Sequence, residues 1–210
     1  MPYKWSEISE VPSVSGIYAW YYQVVLTEHD LSRVISRVES LKREGENKKA
    51  KKKIGEFLRS SVFKYFAEEP FEASVSGPLK PEYTGELEHQ PESSDSLLQR
   101  LVENPNRLYT VKEVLANATP EFASPIYIGM SKDLNKRIKG HRDLIIDYRG
   151  GNSSSVGTDR DQSFARRVVK RNLVPTRLHV SIRKISGKGA RYVDTENILN
   201  RINFPVLGRN

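Results

Sequence analysis

The chain has 210 residues, 37% of them apolar and 29% charged, with no cysteine and a formal net charge of +8. This is room for one ordinary domain carrying a large insertion, and the composition is globular, neither collagenous nor low-complexity. The missing cysteines exclude disulfides, thiolate zinc sites and cysteine nucleophiles; with no signal-like start and no run near the roughly 20 apolar residues of a membrane span, a soluble, cytoplasmic protein is expected.

The stretch from Ser15 to Val25 is aromatic and β-branched, which predicts a strand. Leu31, Val34, Ile35, Val38 and Leu41 recur at helical spacing, so residues 28–42 read as an amphipathic helix. A second helix begins at the basic run Lys48 to Lys53 and continues through Ile54, Phe57, Leu58 and Phe66. Residues 68–103 hold Pro70, Pro78, Pro81 and Pro91 among many acids and read as loop, with a short helix near Leu97 to Val102. Val111 to Ala116 reads as a further helical turn, and Pro125 to Met130 as a short strand.

Residues 131–148 form the clearest helix, with Ser131 as its N-cap and Asp133 in its first turn. Arg149 to Thr158 reads as loop and Asp161 to Asn172 as a basic helix. Leu178, Val180 and Ile182 alternate with Arg177, His179 and Arg183, predicting a strand, and Gly189 to Ile202 is a last helix stopped by Pro205. The order of strands and helices predicts an α+β fold with a small central sheet.

Charge is uneven along this order. Residues 126–210 hold 18 Lys/Arg against 7 Asp/Glu, a net of +11, whereas the first 125 residues sum to −3. A basic module attracts polyanions through phosphate neutralisation, although a merely solvated basic surface has the same composition. On the helical wheel of residues 131–148, Leu134, Ile138 and Ile145 fall within about 40° of one another. Arg137 and His141 lie among them, one turn apart. An arginine on an apolar face calls for an ion pair, a bound anion or a side chain stretched to the rim.

Tyr18 lies in Gly16-Ile17-Tyr18 and Tyr127 in Tyr127-Ile128-Gly129. Each tyrosine alone reads as a core residue with its hydroxyl at the rim. Together, the two tripeptides resemble the signature of the GIY-YIG nucleases. The stretch Gly129-x-Ser131-x-x-Leu134-x-x-Arg137-Ile138-x-x-His141 is similar to that family's second motif. Glu196, followed by Leu199, Ile202 and Pro205, resembles its metal-binding helix and the proline beyond it. The matching stretches are residues 14–25 and 124–210.

The resemblance implies a GIY-YIG core of residues 1–25 and 123–210, with a mostly antiparallel sheet flanked by helices. Residues 26–122 become a mainly helical insertion for substrate recognition or dimerisation. The tyrosines sit much farther apart in the chain than the short hairpin usual in that family. The implied activity is hydrolysis of DNA phosphodiester bonds by an endonuclease of restriction type. A structure-specific repair nuclease, or an inactive nucleic-acid-binding protein on the same fold, is the alternative.

By the same resemblance the catalytic residues are Tyr18, Tyr127, Arg137, His141 and Glu196, with Glu196 holding Mg²⁺ or Mn²⁺. Tyr18 is the implied general base, a role in which a phenol with a pKa near 10 needs help from nearby cations or from His141. A hard carboxylate oxygen suits these metals, and Arg137 suits the phosphate oxygens. The family's terminal asparagine has two candidates, Asn203 and Asn210, and Lys132 is a candidate for added positive field. Two clusters are candidates for nucleic-acid contact: Lys48, Lys49, Lys51, Lys52 and Lys53, and Arg166, Arg167, Lys170 and Arg171. A homodimer suits an enzyme whose single site must act on both strands.

Overall fold

The structure is a computed structural model that describes residues 2–68, 70–78, 82–89, 91–117, 121–151, 159–185 and 191–208, with only the backbone given at 159–163 and 191–193. In chain order the strands are β1 Tyr3–Lys4, β2 Gly16–Tyr22, β3 Phe71–Val75, β4 Tyr83–Leu87, β5 Tyr127–Ser131 and β6 Leu178–Lys184. The α-helices are α1 Glu28–Arg43, α2 Asn47–Ser61, α3 Asp95–Glu103, α4 Arg107–Asn117, α5 Leu134–Arg149, α6 Asp159–Lys170 and α7 Arg191–Asn203. The fold is α+β, and its two sheets, of four and two strands, are antiparallel throughout. Among the described residues no helix is long and apolar enough to cross a membrane.

The chain divides into two compact units, Met1–Val24 with Leu115–Asn210, and Val25–Val114. The second seam thus falls before residue 115 rather than after residue 122. In the first unit the sheet runs β1-β6-β2-β5. Tyr18, Trp20 and Tyr22 of β2 share one face because alternate residues of a strand point the same way. Trp20 stands opposite Tyr127 on one side and Val180 on the other, and all three are buried. α5 and α6 pack against each other and lay Ile138, Ile145, Phe164 and Val168 into the core.

Two local expectations change. Asp133, not Ser131, caps α5: its carboxylate accepts the Lys136 N–H at 3.0 Å. Ser131 instead ends β5, and its hydroxyl accepts the Asp133 N–H at 3.0 Å and donates to the Asp133 carbonyl at 2.7 Å. That local turn competes with a cap and moves the helix start onward. Second, residues 68–103 are not plain loop, because β3 and β4 form a ribbon there. Just past the end of α7, Phe204 has φ 45°, in the left-handed region.

Glycine is the residue that region favours, and a bulky side chain costs about 1 kcal/mol there. Phe204 is 73% exposed, so it loses little packing on removal. Phe204→Gly is therefore expected to stabilise the fold by about 1 kcal/mol, raising the melting temperature by about 2–4 °C. A lower melting temperature in calorimetry would refute this.

The second unit is built on α1 and α2. Leu31, Val34, Val38 and Leu41 of α1 face Ala50, Ile54 and Leu58 of α2 across a helix pair, and α3 adds Leu101 and Val102. The Thr27 hydroxyl caps α1 by accepting the Asp30 N–H at 3.1 Å, and Ser94 caps α3 in the same way.

Candidate active site

Two strands distant in sequence bring the tyrosines together. β2 and β5 pair with Tyr18 opposite Gly129 and Trp20 opposite Tyr127, which puts both phenols on one face. Gly129 is what lets Tyr18 lie flat across its neighbour. A methyl group there would stand 2.5 Å from Tyr18 Oη and 2.6 Å from its Cζ. Gly16 is constrained likewise, since a Cβ would meet the Arg183 carbonyl oxygen and Leu134 Cδ1. The glycines of both tripeptides are thus explained by close approach. The two tyrosine rings have centroids 6.2 Å apart.

α5 crosses this face and adds the polar pair. Tyr18 Oη is 2.8 Å from His141 Nε2, and Arg137 Nε donates to the same oxygen at 3.2 Å. Spacing of one turn on one helix is what allows Arg137 and His141 to reach a single oxygen. One proton assignment uses each group once: Arg137 donates to the phenol oxygen, the phenol donates to His141, and the imidazole accepts. His141 is fully buried and Tyr18 is 1% exposed, whereas Arg137 is half-buried and forms the open border of the cluster.

Phe164 of α6 completes the setting, and sequence reading did not single it out. Its ring centroid lies 4.6 Å from Tyr127, 4.9 Å from His141 and 5.7 Å from Trp20. It seals the inner side of the imidazole against water. The only trace in the sequence is one aromatic residue inside a basic helix.

Burial pushes the His141 imidazole well below its ordinary pKa, and the Arg137 charge pushes it further the same way. The ring is therefore neutral at neutral pH and an acceptor toward Tyr18. The unfolded chain takes up a proton near pH 6.5 that the folded ring refuses, so stability is full above that pH and falls as the pH drops below it. His179 is lowered too, by burial and by Lys4, against an opposing pull from Glu7. The melting temperature is expected to fall between about pH 7 and about pH 5. His141→Gln should remove the larger part of that fall; an unchanged pH profile in the variant would show that His141 does not titrate as stated.

Glu196 lies on α7, which runs beside β5 and β2. Glu196, Leu199, Asn200 and Asn203 are the half-buried residues of that helix and form one stripe, while Asn197, Ile198, Arg201 and Ile202 are exposed. Glu196 therefore lies on the half-buried side of α7 rather than on its exposed face. Asn200 Nδ2 donates to the Glu196 carbonyl at 3.0 Å, and Asn203 Nδ2 folds back onto the Leu199 carbonyl at 2.8 Å. Asn210 lies outside the described residues. Lys132 is exposed between β5 and α5.

Among the described residues no group of three or more His, Asp or Glu side chains is gathered as a metal cage. The donor set at Glu196 is one hard carboxylate oxygen on a half-buried helix side, which fits Mg²⁺ or Mn²⁺ completed by water and phosphate oxygens. It does not fit a metal that needs several nitrogen or sulfur ligands.

The basic clusters differ in their partners. Lys49, Lys51 and Lys53 pair with Glu46, Asp95 and Glu56 at 2.8, 2.9 and 3.4 Å, whereas Lys48 and Lys52 are exposed and make no ion pair among the described residues. Arg167 of α6 donates to the Leu207 carbonyl at 3.1 Å and to that of Gly208, and Arg171 just beyond the helix donates to the Val206 carbonyl at 3.5 Å. These two arginines tie down the chain after α7. Arg166 and Lys170 are exposed, with the Arg166 guanidinium 5.7 Å from the Tyr148 ring centre.

No family model, curated protein or solved structure matches the chain.

Proposed function

We propose that this chain is a divalent-metal-dependent endonuclease that hydrolyses DNA phosphodiester bonds, with a site of the GIY-YIG kind. The observation that carries the reading is the single phenol oxygen of Tyr18 held between His141 Nε2 and Arg137 Nε, with Tyr127 beside it. A buried phenol alone is structural. A phenol that touches a neutral base and a guanidinium at once is set up to move a proton next to an anion.

Each side chain then has a task. Arg137 gives Nε to Tyr18 and offers the rest of its fork to the non-bridging phosphate oxygens, whose charge rises in the transition state. Tyr18 accepts a proton from the attacking water and passes its own to His141. A phosphate seated at Arg137 offsets the guanidinium charge that, after burial, holds His141 neutral, so substrate binding itself makes the imidazole a better acceptor. Tyr127 orients the water or the phosphate from the same face. Glu196 is the residue that would hold the cation; when bound, Mg²⁺ or Mn²⁺ supplies Lewis acidity and charge stabilisation at the leaving 3′ oxygen.

The partner follows from charge. The +11 carried by residues 126–210 suits a polyanion. A restriction-type enzyme fits a chain whose second unit is available for target choice. The test is incubation of the protein with supercoiled plasmid in Mg²⁺, in Mn²⁺ and in chelator. Discrete metal-dependent bands support site-specific cutting. DNA that is retarded but intact with both metals overturns the nuclease reading in favour of a binding protein.

A further inference from the structure

Within the second unit, charge of the two signs is separated. Residues 25–64, which carry α1 and α2, hold 11 Lys/Arg against 6 Asp/Glu, a net of +5. Residues 68–92, which carry the β3–β4 ribbon, hold one lysine against seven glutamates, a net of −6. A polyanion is thus drawn to the helix pair and repelled from the ribbon.

Ion pairs then sort the bases of α2. Lys49, Lys51 and Lys53 are neutralised by Glu46, Asp95 and Glu56. Lys48, Lys52 and Arg59 are exposed and make no ion pair among the described residues. Six bases of α2 against these three acids leave a net of +3, all of it on those three side chains. At 100° per residue Lys48, Lys52 and Arg59 fall within about 40° of one another, on the side of the helix away from the buried Ala50, Ile54 and Leu58. With a rise of 1.5 Å per residue, Lys48 and Arg59 stand about 16 Å apart along the axis. Arg59 lies outside the basic run in the sequence, and only the helical period joins it to the two lysines.

We propose that Lys48, Lys52 and Arg59 form a phosphate-tracking ridge, by which the second unit lies along a DNA backbone and anchors it without reading its sequence. Duplex DNA carries one charge per about 1.7 Å of axis, so a line of cations about 16 Å long passes several phosphates in any register. A protein partner would need an apolar centre, which this ridge lacks, and lysine is depleted in such interfaces. Contacts to phosphate set position and leave base recognition to other groups. The inference rests on DNA as the partner in the reading above, and not on the cleavage chemistry.

The test is binding of the full chain to labelled duplexes of unrelated sequence, in chelator, between about 0.05 and about 0.2 M salt. The variant Lys48→Gln/Lys52→Gln/Arg59→Gln should bind at least about tenfold more weakly on every duplex, and the slope of log affinity against log salt should shrink by about 2–3. The control is Arg33→Gln/Arg37→Gln/Arg43→Gln, which removes the same charge from exposed positions of α1 in the same unit. It should change the slope by less than about 1. All six positions are exposed, so circular dichroism should show both variants folded. Wild-type affinity and slope in the ridge variant overturn the proposal and leave an acidic protein surface as the ridge's occupant. Equal losses in the two variants overturn it too, because net charge rather than a line of contacts would then set affinity. A wild-type chain with no affinity for any duplex sinks the ridge and the DNA reading together. A chain that binds through the ridge yet never cuts in Mg²⁺ or Mn²⁺ upholds the ridge and sinks only the nuclease.

Discussion

Tyr18→Phe is expected to keep DNA binding and lose about 10²- to 10⁴-fold in cleavage rate, the usual range for removing a group that moves a proton. The reason is geometric. The phenol oxygen is the only atom of Tyr18 that contacts both His141 Nε2 and Arg137 Nε, at 2.8 and 3.2 Å. The phenylalanine ring fills the same volume, so the sheet and its packing survive. Deleting two hydrogen bonds in a buried place costs about 1–3 kcal/mol of stability. In the proposed mechanism binding rests on the basic surface and on Arg137, which stay. Single-turnover cleavage beside a gel-shift titration separates the two effects, and normal cutting by the variant would remove Tyr18 from the chemistry.

Gly129→Ala is expected to be nearly as damaging without touching any ionisable group. The new methyl would sit 2.5 Å from Tyr18 Oη, closer than real contacts come, and 3.0 Å from Tyr127 Cε1, a tight one. Backbone pairing fixes Gly129 opposite Tyr18, so the ring must turn away. Overpacking of this kind costs about 1–3 kcal/mol, and the displaced phenol no longer reaches both partners. The variant should melt lower and cut at least about 10²-fold more slowly. Unchanged melting and cutting together would mean that the position of Tyr18 does not matter.

Much of this was legible in the residues. Helix α1 announced itself through Leu31, Val34, Val38 and Leu41, and the buried face of α5 through Leu134, Ile138 and Ile145, because a 3.6-residue period shows on a single strand of text. Arg137 and His141 stood out as polar residues on that face, and the fold brings them to one oxygen. What the sequence concealed depends on pairing. β3 and β4 alternate at Phe71, Ala73, Val75 and at Tyr83, Gly85, Leu87, but prolines around them and the many glutamates masked a five-residue period-two signal. β1 is two residues long and has no period at all. Phe164 enters the site only because α6 packs on α5, which no local pattern states. The basic runs read alike as phosphate contacts, yet Arg167 and Arg171 hold carbonyls and Lys51 holds Asp95, pairings set by distant segments.

The proposed mechanism joins a carboxylate on the last helix to a phenol on the second strand in one reaction. Nicking of supercoiled plasmid in Mg²⁺ by Glu196→Ala, run against the wild-type chain at equal concentration, addresses it directly. Wild type is expected to cut, while the variant retards the plasmid and leaves it supercoiled. A variant that cuts at the wild-type rate would contradict it.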